Sequence, residues 1–254
     1  MLRKLTFAVI AVSFCFPAVS MAQGPETEET LKVKVAQAVR MLAVEGIVNY
    51  SGHVSARVPG TNRIVINSRD ASREIVQAAN IVTVDLDGNK VAGKEGEPDE
   101  TWMHLSIYRA RPDVNAICRT HGKFANVMSV LRRTLRPVHE LAVPVGPEVP
   151  LFDTPELISS LEVGRRMVAA LGQARALLLR GNGQLTVGTG IEEAVVNAIH
   201  LETSAEIQWR ALAVGEPAWI AGDEYTGEFA KLAKREYEAI LRPWEYYLSQ
   251  SRAC

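Results

Sequence analysis

The chain has 254 residues, with 28 basic against 29 acidic side chains, 47% hydrophobic residues and three cysteines. So even a charge balance offers no basic face for nucleic acid or for an anionic membrane surface, and three cysteines are too few for a disulfide framework. The length suits one sizeable domain with its own core.

The chain opens with Arg3 and Lys4, an apolar run from Leu5 to Phe16, Pro17 and the small-residue site Ser20-Met21-Ala22. That is the layout of a secretory signal peptide cleaved before Gln23. The run is short of the roughly 20 residues that span a bilayer. Residues 1–22 are read as the signal and 23–254 as an exported domain, periplasmic or secreted, with no membrane attachment after cleavage. Cleavage removes two basic residues, so 26 remain against 29 acidic ones and the net charge is −3. Of the cysteines only Cys118 and Cys254 then survive, the first read as a buried apolar filler.

Residues 23–30 are polar, and Leu31, Val35, Ala38, Val39 and Leu42 recur at helical spacing up to Gly46. His53–Val58 and Arg63–Asn67 alternate around Pro-Gly-Thr-Asn as a hairpin. Ile81–Leu86 turns through Asp87-Gly88 into Lys90–Ala92. From Asp99 or Glu100 a helix carries Met103, Ile107 and Ala110 on one face and stops at Pro112. Val114–Cys118 has the β-branched, apolar character of a buried strand. A carboxylate that opens the helix, Glu100, and an imidazole that ends the strand, His121, can therefore meet at one sheet edge, where open α/β sheets keep their sites.

Beyond this, a helix is expected over Phe124–Leu131, a short strand at Leu141–Val143 and a helix over Leu157–Leu171. Ala176–Leu179 and Gln184–Val187 form a second hairpin, and Ile191–Leu212 is a long helix capped by Thr189. A last helix from Phe229 to Leu248 is kinked near Pro243. Its aromatic segment, Trp244-Glu245-Tyr246-Tyr247, either packs on its own core or walls a neighbouring subunit's pocket. These elements make one three-layer α/β domain, a mostly antiparallel sheet flanked by helices.

The stretch E-P-D-E-T-W-M-H-L-S-I-Y-R-A-R-P-D-V-N-A-I-C-R-T-H, Glu97–His121, resembles the core of the class II aldolase/adducin family. S-G-H-V-S-A-R-V-P-G at Ser51, D-L-D-G at Asp85 and L-L-R-G-N-G at Leu178 extend the resemblance over about Leu31–Leu212. It implies a carbon–carbon lyase, aldolase or decarboxylase, assembled as a homo-oligomer, commonly a tetramer. It also implies a divalent metal, zinc or manganese, held by a Glu, both His of an H-T-H and a later His. Glu100 and His121 match that set, but Arg119 stands at the first His position and Asn182 at the last.

Arginine cannot ligate a metal, because it stays protonated. A unit charge about 5 Å from a divalent ion costs on the order of 6 kcal/mol at an effective dielectric near 20. The metal set of Glu100 and His121 is thus partial, and a salt bridge from Arg119 to Glu100 is expected in the ion's place. Asn182 also has a purely structural reading, since Asn-Gly favours a tight turn.

The family's phosphate-binding pattern is thinned as well. Ser51 and Gly52 persist, but His53 replaces an Asn, the next turn reads Asn67-Ser68-Arg69, and Asp99 would repel a phosphate. Ser51, Gly52, His53, Arg69 and Arg119 are therefore assigned to a small carboxylate substrate, a non-phosphorylated hydroxy or keto acid, with Glu100 as the catalytic base. His104 reads as a core or supporting histidine, and His139 and His200 receive no role. Two other readings stay open: a non-catalytic binding or scaffolding domain of the adducin kind, and an enzyme that completes a metal site with His53 or His104.

Overall fold

The computed structural model describes residues 26–221, 224, 227, 231 and 235–252. The signal-peptide segment and Cys254 lie outside the described residues, as does the start of the last helix. The described Cys118 is buried and free. Among the described residues no helix is long and apolar enough to cross a membrane.

Eight strands form one sheet: β1 (His53–Arg57), β2 (Arg63–Asn67), β3 (Ile81–Asp85), β4 (Lys90–Ala92), β5 (Ala116–Thr120), β6 (Leu151–Phe152), β7 (Ala176–Leu179) and β8 (Gly183–Gly188). Their order is β4-β3-β2-β1-β5-β8-β7-β6, antiparallel throughout except for the parallel pair β6 and β7. The helices are α1 (Glu28–Val44), α2 (Thr101–Ala110), α3 (Lys123–Val130), α4 (Leu161–Leu171), α5 (Ile191–Leu212) and α6 (Arg242–Arg252).

Period-two alternation sorts each strand between two cores. Val54, Ala56, Val65, Ala116 and Cys118 pack under α1, α5 and Trp244 of α6. Ile64, Ile66, Ile117, Leu185 and Val187 face Met103 and Ile107 of α2 and Val163 and Met167 of α4. A third cluster joins Ala125 and Met128 of α3 to Leu201 and Ala205 of α5. The architecture is thus the expected three-layer, mainly antiparallel α/β domain.

Several elements differ from the sequence reading. The buried strand is β5, two residues later than Val114–Cys118. Leu141–Val143 lies in a 3-10 turn over Glu140–Val145, because Pro144 supplies no N–H for a strand ladder. Helix α4 begins at Leu161 rather than Leu157, with the Ser160 side chain accepting from the Val163 amide. The residue capping α5 is Gly190; Thr189 instead donates its N–H and hydroxyl to Glu193. Ahead of Pro243, residues Tyr237–Leu241 form a π turn, a local widening that accommodates the missing proline N–H. The aromatic segment packs mainly inward, with Trp244 buried and Tyr247 against the same core.

Candidate functional site

The register of the sheet builds the site. His53 and Arg119 are direct partners across β1 and β5, so alternation sends both side chains to the α2 face. Glu100 is the residue that caps α2, and Asn182 sits in the turn between β7 and β8. Two glycines make these approaches possible. Gly52 has φ +113°, and a Cβ there would lie 2.5 Å from Val48 Cγ1. Gly183 has φ +89°, and its Cβ would lie 2.2 Å from the Thr120 carbonyl oxygen. No other residue fits either place without backbone movement.

At the centre is the Arg119 guanidinium, only 1% exposed. Its Nη2 forms an ion pair with Glu100 Oε2 at 3.1 Å and donates to Asn182 Oδ1, while Nη1 meets the His121 ring. Its Nε is buried without a hydrogen-bond partner among the described residues. Glu100 Oε1 also accepts from Asn182 Nδ2 at 3.2 Å and from the Ile158 amide at 3.4 Å. His53 Nε2 lies 3.8 Å from Glu100 Oε2, an electrostatic contact longer than a hydrogen bond. His121 and Asn182 are partly exposed and form the open side of the cluster.

These surroundings set the charges. Burial pushes the Glu100 carboxyl upward, but His53, Arg119 and the Ile158 amide outweigh it and hold the group at about 2. Burial, with Arg119 adding to it, lowers both His53 and His121 to about 4, so both rings are neutral near pH 7. At neutral pH the cluster is one carboxylate, one guanidinium and two neutral imidazoles.

Acid sensitivity follows. The folded histidines bind protons only near 4, whereas unfolded ones bind them near 6.5. Stability is therefore expected to fall as the pH drops below about 6.5. Glu100 contributes further stability that is fully present above 4.5 and is lost as the pH falls through about 2. Urea midpoints taken between pH 7.5 and 4 check this, and a flat profile from 7 to 5 would contradict the burial of neutral histidines.

Of the residues read from the sequence, Ser51, Gly52, His53, Glu100, Arg119, His121 and Asn182 come together. The Ser51 backbone lies against the His121 ring, and the Gly52 carbonyl accepts from Arg73 Nε at 2.9 Å. Arg69 does not join them. Its Nη1 pairs with Asp99 at 2.8 Å and its Nε with Asp70 at 3.5 Å, on an exposed side chain. Acidic neighbours hold Arg69 at the surface, apart from the other residues assigned to substrate.

Sequence reasoning missed Arg73 and Asn67. Arg73, 3% exposed, bonds the carbonyls of Gly52 and Ala71, and Asn67 takes the Val54 amide and donates to Gly52. Both brace the Ser51-Gly52 turn, and neither carries a local signal beyond being polar beside an apolar strand.

An antiparallel α/β sandwich with its polar site gathered at one end of the central strands defines the class of protein. The chain belongs to the class II aldolase and adducin family: the model of the Class II Aldolase and Adducin N-terminal domain matches residues 33–209. It is 29% identical over 206 residues to a 3,4-dihydroxyphthalate decarboxylase of Arthrobacter keyseri, covering 76% of this chain and 83% of that one. It is 25% identical over 202 residues to a 5-methylthioribulose-1-phosphate/5-deoxyribulose-1-phosphate aldolase of Rhodospirillum rubrum, covering 79% and 90% respectively. Among solved structures it resembles an aldolase II superfamily protein from Pseudomonas syringae, with a TM-score of 0.79, 25% identity and coverage of 91% and 95%. These relatives are named as decarboxylases and aldolases, which supports lyase activity in general.

Class II aldolases generally use a divalent metal. The residues here do not fit one. The guanidinium fills the space between Glu100, His121 and Asn182, and among the described residues no group of three His, Cys, Asp or Glu is placed to hold an ion. His104 does not complete such a set, because its ring nitrogens contact His53 and Ser55.

Proposed function

We propose that the mature chain is an exported carbon–carbon lyase for a small, non-phosphorylated hydroxy or keto acid. By resemblance it works as a homo-oligomer, and Arg119 takes the electrostatic place of the family's metal. The observation that carries this reading is the guanidinium held at the meeting point of Glu100, His121 and Asn182.

A fixed cation in a water-poor pocket stabilises negative charge that develops on a substrate oxygen. Decarboxylation of a β-keto or ortho-hydroxy acid breaks the bond to the carboxyl carbon. In a β-keto acid its electron pair moves onto the neighbouring carbonyl as an enolate, carbon dioxide leaves, and water returns a proton to the carbon. An ortho-hydroxy aromatic acid first takes a proton from water at the ring carbon that bears the carboxylate, and loss of carbon dioxide then restores the ring as a phenolate. That route needs no strong base. Retro-aldol cleavage does need one, and a carboxylate held near 2 is a poor one. The site therefore favours decarboxylation, which also agrees with the decarboxylase name of the Arthrobacter relative. A substrate oxygen reaches Arg119 through the partly exposed His121 and Asn182.

The competing reading is a binding domain without catalysis, favoured by the three side chains, Glu100, His121 and Asn182, that already occupy the terminal nitrogens of Arg119. Thermal-shift screening against hydroxy, keto and aromatic acids, followed by carbon dioxide and product detection, separates the two. Turnover that Arg119→Lys lowers at least about tenfold supports the lyase. Ligand-induced stabilisation with no product supports the binding domain.

A further inference from the structure

A line of four buried polar groups leads away from Glu100 into the core between β1 and α2. His53 Nδ1 lies 2.6 Å from His104 Nε2, and His104 Nδ1 lies 2.6 Å from Ser55 Oγ. Ser55 Oγ lies 2.8 Å from the Tyr108 hydroxyl. All four residues are 3% exposed or less. Their spacing has a local cause. Residues 53 and 55 share a face of β1, while 104 and 108 are one turn apart on α2, so two pairs of side chains interleave where strand and helix pack.

Proton counting fixes the direction of the line. Glu100 is an anion and can only accept, so the imidazole edge facing it is Nε2–H. A neutral His53 then has only a lone pair at Nδ1, which must accept from His104 Nε2–H. His104 in turn offers a lone pair at Nδ1, filled by the Ser55 hydroxyl proton. Ser55 accepts the hydroxyl proton of Tyr108. His104 and Ser55 each donate once and accept once, Tyr108 only donates, and His53 accepts at Nδ1 while its Nε2–H faces Glu100 at 3.8 Å, so every proton points toward the carboxylate. Burial holds both rings well below the usual imidazole range and keeps them neutral. Burial also raises the Tyr108 phenol, which closes the far end to proton loss, so the line orients protons and does not export them.

We infer that Tyr108, Ser55 and His104 are positioning residues. They lock His53 in its neutral Nε2–H form, aimed at Glu100 and at any substrate oxygen bound beside it. The catalytic part of this inference rests on the lyase reading; the tautomer lock does not.

The test uses the full chain labelled with 15N at histidine. Long-range proton–nitrogen correlation spectra should show His53 and His104 each as a single neutral Nε2–H tautomer. Tyr108→Phe keeps the ring that stacks on Arg57, and Ser55→Ala removes only a hydroxyl. In both variants the two histidines should become mixed tautomers while the fold persists by circular dichroism. If turnover is present, kcat should fall about tenfold with KM unchanged, as for an interaction used in the transition state. An Nδ1–H form or a protonated ring at either position in the wild type would overturn the lock, as would unchanged spectra in both variants. Shifted tautomers with unchanged kcat would overturn the positioning role. An inactive wild type with locked tautomers would overturn the lyase reading and leave the lock standing.

Discussion

Glu100→Ala is expected to lower the unfolding free energy by about 3–5 kcal/mol, the usual penalty for leaving one member of a buried ion pair alone. Arg119 is 1% exposed and has no second carboxylate within reach among the described residues, so its charge would be stranded. Arg119→Ala should cost a similar amount, since Glu100 would keep only the neutral donors Asn182 and Ile158, with a neutral His53 ring 3.8 Å away. The double variant should cost clearly less than the sum, with a coupling of about 1–3 kcal/mol. Urea unfolding of the four proteins closes the cycle. Small, additive losses would mean that the two charges stabilise the fold independently.

The second large effect concerns the metal. Arg119→His combined with Asn182→His removes the central guanidinium and supplies the two imidazoles that the family pattern has at these positions. Together with Glu100 and His121 this makes four ligands of the kind zinc prefers. The double variant is expected to bind one zinc per chain with a Kd below about 1 μM, equivalent to more than about 8 kcal/mol. The wild type should bind none stoichiometrically. Elemental analysis after purification in zinc-containing buffer, with calorimetric titration, reads both. One equivalent of zinc in the wild type would mean that Arg119 turns out of the pocket, and the protein would then be an ordinary metallolyase.

Much of the fold could be read from residues alone, for identifiable reasons. The long helix Ile191–Leu212 was bounded correctly because its apolar spacing runs unbroken for 22 residues. The two hairpins were legible because Pro-Gly and Asn-Gly punctuate alternating strands. Strand β6 was not, since two residues pairing in parallel with β7 leave no local period. Residues 157–160 read as the start of the helix Leu157–Leu171, although the Ile158 amide serves Glu100 instead. At the site, residue types named the cluster, but the direct pairing of His53 with Arg119 is a matter of register. The place of Arg69 outside the cluster is hidden for a related reason: a sequence shows the charge but not the aspartates that pair with it. The hydrogen-bonded line through His104 depends on two elements packing face to face, which spacing within either one cannot reveal.

A cation that is part of the polypeptide has a different supply problem from one borrowed from solution. It is delivered with every copy of the protein, cannot be stripped by a chelator or swapped for a competing ion, and needs no loading step after synthesis. The exchange also fixes its strength. One positive charge spread over a planar group replaces two concentrated on a point, so the pull it exerts on a nearby oxygen is weaker and more diffuse than a divalent ion's.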